Sequence, residues 1–258
     1  MDNETHQGLI MWSEISLLAP ICLAAALAGI VRGFTGFGAA LVFIPIASSM
    51  VAPWQAVILL FVIDCVTTLP LIPNAARNCT WREIIPLTLG AMVTVPIGAF
   101  FLLSVDPTAL RWALAVLALG AVSVLASGWR YQAPPSPALS ATVGAVSGFL
   151  GGLCSFYGPP IAIFWLGGQN NSTTVRANVN LFLVSMTVVS GVTYAIHGLF
   201  KIEVVVRGVE LMPVYGLAVW TGTKLFRYAS ESSFRRIAYL IISGAAVSSL
   251  PVFDHNSQ

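Results

Sequence analysis

Formal charge is what this chain has least of. Twelve Lys and Arg and ten Asp and Glu serve 258 residues, 9% of the sequence, where a soluble domain carries about 25%. A chain so poor in charge cannot cover a compact body with the mixed-charge surface that keeps domains apart in water. The net charge of +2 comes with no basic run, so nucleic acid is not expected as a partner. Histidine and cysteine are equally scarce, at three and four. Cys22, Cys65, Cys79 and Cys154 lie in or beside apolar runs without CxxC or metal-ligand spacing, so they read as small hydrophobes. The sequence also lacks HExxH, GxSxG and GxxxxGK[ST], which argues against an intramembrane enzyme and against direct ATP hydrolysis. No cofactor and no metal is expected.

Apolar residues make up 57% of the chain and mean hydropathy is +0.86, so lipid must solvate most of it. The start, Met1-Asp2-Asn3-Glu4, is acidic where an export signal would be basic, and the first apolar segment is expected to remain in the mature protein. Apolar runs fall at 15–32, 37–51, 54–73, 84–104, 109–129, 138–150, 153–168, 175–198, 203–226 and 234–250. A membrane helix needs about 20 residues, so 54–73, 84–104, 109–129, 175–198, 203–226 and 234–250 can each cross. The runs 37–51, 138–150 and 153–168 look short. They fall in two pairs, 15–32 with 37–51 and 138–150 with 153–168, each interrupted by glycines.

The first glycine cluster reads Gly33-Phe34-Thr35-Gly36-Phe37-Gly38 before Pro45, and the second Gly148-Phe149-Leu150-Gly151-Gly152 before Pro160. A shift of 115 superposes Gly29, Gly33, Phe34, Gly36 and Pro45 on Gly144, Gly148, Phe149, Gly151 and Pro160. Further on, a shift of 124 superposes Gly98 on Gly222 and Leu110-Arg111 on Phe234-Arg235. The chain therefore reads as a duplication, 1–130 and 131–258, with the extra residues of the second half placed in the polar stretch 167–174. Basic residues mark cytoplasmic loops. Arg77, Arg82, Arg130, Arg176, Lys224, Arg227, Arg235 and Arg236 all fall on one side if each broken pair returns to the side it started from, with Lys201 and Arg207 as exceptions. Each half then makes three crossings plus one returning pair, which turns the second half over relative to the first. The expected fold is an all-α polytopic membrane protein of two inverted-topology repeats, each a glycine-broken helical pair plus three transmembrane helices. Reading each pair as one kinked crossing gives parallel repeats instead.

Irregular backbone at membrane depth is tolerated where protein or a water-filled cavity satisfies it, so two facing breaks imply a shared cavity. Free N–H groups at helix ends suit an anion, and glycines let the backbone approach it; small residues at this spacing also serve close helix packing. Gly33, Thr35, Gly36, Gly38, Gly151 and Gly152 are accordingly candidate substrate-binding positions. Arg32 follows 17 mostly apolar residues and is the costliest side chain to place in lipid, so it reads as the anion ligand. Asp64, mid-segment, needs a partner or a proton and reads as a coupling group, as does His197 more weakly. Ser155 and Tyr157 can donate hydrogen bonds after the second break. Arg176, Asn178 and Asn180 are placed at a cytoplasmic mouth, with a positive-inside anchor as the alternative.

The pattern Gly33/Gly36/Gly38/Pro45 and Gly148/Gly151/Pro160, set in two repeats that span nearly the whole chain, resembles the TauE/SafE family. The second copy continues Cys154-Ser155-Phe156-Tyr157 where a plainer aliphatic stretch is common. The resemblance implies a secondary transporter of the bacterial cytoplasmic membrane that exports a small anion, sulfite or an organosulfonate. Its expected partners are that anion and the lipid bilayer, and self-association is left open. A channel or a non-transporting membrane subunit is the competing expectation.

Overall fold

The computed structural model describes the backbone of residues 3–68, 76–77, 79–128, 136–165, 172–228 and 231–249, and side chains over 19–65, 67, 76–77, 79–128, 136–165, 174–175, 177–225, 239–247 and 249. Among these residues there are ten helices and no strand. They are α1 (Asn3–Thr35), α2 (Ala39–Ser48), α3 (Pro53–Thr68), α4 (Trp81–Ser104), α5 (Pro107–Ala126), α6 (Pro137–Cys154), α7 (Gly158–Trp165), α8 (Ser172–Ile196), α9 (Ile202–Tyr228) and α10 (Glu231–Ser248).

Local chemistry starts several of these helices. Asp106 accepts from the backbone N–H groups of Thr108 at 2.9 Å and Ala109 at 3.0 Å ahead of α5, and Ser136 accepts from Leu139 at 3.2 Å ahead of α6. Both helices place proline at their first position, where its missing N–H has no intrahelical acceptor to lose. Helices α4, α5, α6 and the Ala177–Ile196 part of α8 are long and apolar enough to cross a membrane. Three of these match segments read as crossings. The fourth corrects the sequence reading: 138–150 looked short, yet its helix runs on through Gly151 and Gly152 to Cys154. Helix α3 is described only to Thr68, so the end of segment 54–73 lies outside the described residues. Helix α9 has the length to cross but carries Glu203, Arg207, Glu210, Lys224 and Arg227. The short arm α2, ten residues, rises only about 15 Å, half of the hydrocarbon core; α7 is described over eight residues, to Trp165.

Apolar side chains face outward along the long helices, among them Leu89, Val93 and Phe100 on α4, Val116 on α5, Val192 on α8 and Leu217 on α9. An outer surface of this kind is stable against lipid tails and not against water.

Packing follows a reciprocal scheme. Helix α1 lies along α9 and α6 along α4, the two most extensive helix contacts; α3 also packs on α9 and α8 on α4. Backbones touch at both main seams. A Cβ added to Gly33 would strike the Val219 carbonyl, and one added to Gly152 the Val95 carbonyl; Gly222 meets Ile30 O as Gly98 meets Phe149 O. Only glycine permits such an approach. These equivalences relate α4 to α9 by the shift of 124 read from the sequence. They relate α1 to α6 by 119, pairing Gly29 with Gly148 and Gly33 with Gly152, so the shift of 115 is not the packing register.

Candidate functional site

The first break is built from the last turn of α1. The Thr35 hydroxyl donates to the Val31 carbonyl at 2.8 Å and accepts from the Phe37 N–H at 3.2 Å. Gly36 and Gly38 then take φ of 80° and 95°, a left-handed backbone that only glycine adopts without a steric penalty. The helix is broken over three residues, and α2 begins at Ala39. At the second break Ser155 adopts φ 59°, the one positive φ outside glycine among the described residues. Ser147 donates from its hydroxyl to the Tyr157 carbonyl at 2.8 Å and holds the turn. The next helix opens Gly158-Pro159-Pro160, and the prolines carry no N–H. Backbone donors are therefore few at this break, and side-chain hydroxyls stand in their place.

The two breaks meet, since Gly158 lies against the ring of Phe37. Between them and helices α3 and α8 opens a cavity of about 600 Å³, its mouth included, lined by Arg32, Gly38, Asp64, Tyr157, Ser190 and Tyr194 among others. Arg32 is buried, and its Nε stands 3.1 Å from Asp64 Oδ1. Its Nη1 also donates to the Gly36 carbonyl. The same carboxylate oxygen accepts from the Tyr215 hydroxyl at 2.7 Å and from the Thr67 hydroxyl at 3.0 Å. The lone arginine of the cavity wall is thus matched by a carboxylate, and the pair ties the first break to α3 and α9. Across the cavity the Tyr157 hydroxyl is hydrogen-bonded to Ser190 Oγ. Phe61 and Tyr194 of the lining stand edge-on to each other at 5.7 Å, and Phe61 packs on Phe200 at 5.5 Å. Beyond them Lys201 lies over the Trp54 ring at 5.0 Å.

A family model described as sulfite exporter TauE/SafE matches residues 21–249. The chain belongs to the sulfite exporter TauE/SafE family. It is accordingly a multi-pass membrane protein of a transporter family, with a lipid bilayer and a small-molecule substrate as its partners. No curated protein and no solved structure matches the chain.

In this TauE/SafE chain the residues singled out from sequence divide into three groups. Arg32, Gly38, Asp64, Ser155 and Tyr157 come together at the cavity, with Thr35 and Gly36 shaping its first break. Gly33 and Gly152 face the α9 and α4 backbones at the helix seams, and Gly151 lies under the Tyr157 ring. The remainder sit elsewhere. Asn178 is buried in a tether, its Oδ1 accepting from Thr80 N at 2.8 Å; Glu83 Oε2 accepts from Trp165 Nε1 at 2.8 Å and lies 3.5 Å from Asn178 Nδ2. Asn180 is half-buried and does not line the cavity. His197 is exposed at the end of α8, with Nδ1 2.8 Å from the Thr193 carbonyl. The Arg176 side chain lies outside the described residues. Sequence reasoning passed over Ser190, Tyr194 and Tyr215. The available signal was the hydroxyl itself, because a buried phenol within a membrane helix needs a partner.

Proposed function

We propose that this TauE/SafE protein exports a small anion, sulfite or an organosulfonate, across the bacterial cytoplasmic membrane by alternating access. The observation that carries this reading is the cavity between the two breaks, whose wall holds the buried Arg32 guanidinium together with the hydroxyls of Tyr157, Ser190 and Tyr194. A fixed cation in a low-dielectric pocket supplies the attraction that offsets stripping water from an anion. In the arrangement seen, Arg32 is held by Asp64 and by the Gly36 carbonyl. A proton on Asp64 would relax that hold and leave the guanidinium to the substrate, which is the form of proton coupling we favour. The titratable groups that face this carboxylate are Arg32 from α1, Tyr215 from α9 and Cys65 beside it on α3, with Tyr157 and Tyr194 across the cavity. His197 has no part in it, being at the exposed end of α8.

Alternating access draws support from a cavity lined from both halves of the chain, by Arg32 and Asp64 from the first and by Tyr157, Ser190 and Tyr194 from the second. The reciprocal packing of α1 on α9 and α6 on α4 is what inverted repeats 1–130 and 131–258 would produce, and rocking between such halves exposes a central site to either side in turn.

The test is uptake of radiolabelled sulfite, sulfoacetate and taurine into proteoliposomes, wild type beside Arg32→Ala, with and without an imposed pH gradient. Saturable uptake that Arg32→Ala abolishes, in a variant that still folds, is the expected result. Flux that does not saturate points to a channel. No flux of any of the three from folded protein removes the sulfur-anion assignment.

A further inference from the structure

The hydroxyl of Tyr194 is out of place for a residue with only a structural role. The side chain is fully buried, it lines the cavity, and its hydroxyl has no hydrogen-bond partner of normal geometry. The hydroxyls of Ser155 and Tyr157 stand close enough to interact with it, but neither forms a hydrogen bond of normal geometry with it. Tyr157 is already engaged with Ser190, and Ser155 is turned by its left-handed backbone at the end of α6. Burying a hydroxyl without a well-formed hydrogen bond is unfavourable, and phenylalanine would fill the same ring position without that loss. The hydroxyl is explained if a bound molecule completes it.

The chemistry of that molecule can be narrowed. Pro159 and Pro160 remove N–H groups from the start of α7, so the second break presents hydroxyl donors in place of a helix end. Such donors favour an oxyanion oxygen, and being neutral they add nothing to the charge of the site. Among the described residues that line the cavity, Arg32 and Asp64 are the formally charged ones. The site therefore holds at most one positive charge, and none while Asp64 is ionised. Desolvation of an ion rises with the square of its charge, so a doubly charged anion would be stripped of water with too little to replace it.

We propose that Tyr194 donates its hydroxyl hydrogen bond to an oxygen of a singly charged oxyanion held at the second break, and that this contact sets selectivity. This rests on the anion-carrier reading above and adds to it both a residue and a charge class, under which hydrogensulfite is carried and sulfoacetate, a dianion at neutral pH, is not.

The experiment compares wild type with Tyr194→Phe in nanodiscs, by thermal unfolding with and without methanesulfonate or sulfate, and by methanesulfonate transport in proteoliposomes. These probes are matched in shape and differ in charge. Tyr194→Phe is expected to leave the Tm of the empty protein unchanged or raise it, to remove the methanesulfonate-induced rise in Tm, and to increase KM about ten- to a hundredfold, the loss of one hydrogen bond to a charged group. Sulfate is expected to give no rise in either protein. A lowered Tm of the empty variant with unchanged KM would make the hydroxyl structural and overturn the proposal. So would sulfate stabilising wild type as well as methanesulfonate does, or methanesulfonate failing to stabilise it. If sulfite uptake persists in that last case, the transporter reading stands and only the Tyr194 assignment falls.

Discussion

Arg32 and Asp64 stand 32 residues apart in sequence and 3.1 Å apart in space, and Tyr215 of α9 donates to the same carboxylate oxygen at 2.7 Å. Three helices from both halves of the chain are joined at one oxygen atom. Breaking a buried pair from one side leaves a charge without compensation, which typically destabilises by about 3–5 kcal/mol when both groups are fully buried. Asp64 is partly exposed, so Asp64→Ala is expected to fall at or below the lower end. Arg32→Ala with Asp64→Ala should be more stable than the sum of the single effects, a coupling of about 1–3 kcal/mol. Denaturation of the four proteins of this cycle in detergent measures it.

Tyr215→Phe removes the hydroxyl that donates to the Asp64 carboxylate and keeps the ring. A loss of about 1.5–3 kcal/mol is expected, read as a lowered Tm. An unchanged Tm would show that water replaces the phenol at Asp64.

The glycine seams make a prediction of a different kind. At Gly33 and Gly152 an added side chain meets the carbonyl of a neighbouring helix, so Gly33→Leu and Gly152→Leu should prevent α1–α9 and α4–α6 from docking and abolish the folded monodisperse protein. Gly120 on α5 has open space around it, and Gly120→Ala should be neutral or stabilise by up to about 1 kcal/mol through helix propensity. Size-exclusion profiles in detergent distinguish the three.

The tether at the start of α4 depends on one carboxylate. Glu83→Ala frees the Trp165 indole and the Asn178 amide and is expected to lower stability by about 1–3 kcal/mol. Glu83→Gln keeps an acceptor oxygen and should recover part of it. Equal losses in the two variants would mean that charge, and not acceptance from Trp165, is what matters.

Ser155 is the exception at the breaks, a side chain where the first break has glycine. Ser155→Gly should relieve up to about 1–2 kcal/mol of left-handed strain, and Ser155→Val, β-branched, should add to it. Thermal stability of the pair checks the sign, and a fall in transport by Ser155→Gly at raised stability would assign the serine hydroxyl to the substrate.

Much of this protein could be read from its sequence because lipid imposes strict rules on single segments. Apolar length alone located α4, α5 and α8. The cost of charge in lipid singled out Arg32 and Asp64 without any knowledge of neighbours, and the glycines with positive φ at the first break were visible as a cluster. The second break was misplaced by a few residues because Gly148, Gly151 and Gly152 look alike in sequence whether they bend a helix or pack it. For Gly148 and Gly152 the backbone of α4, some fifty residues away in the chain, determines that role, and for Gly151 the ring of Tyr157 does.

What the sequence determined by itself is which residues cannot remain alone: a buried arginine, a buried carboxylate and phenols in apolar helices each require partners. Tertiary structure decided who the partners are. Arg32 took Asp64, Asp64 took Tyr215, Asn178 took Thr80 in a tether away from the cavity, and Tyr194 was left open beside the second break. Hydrogen bonds act over about 3 Å, so their assignment depends on how helices distant in sequence dock, and in this chain docking is governed by the glycine faces that bring backbone onto backbone.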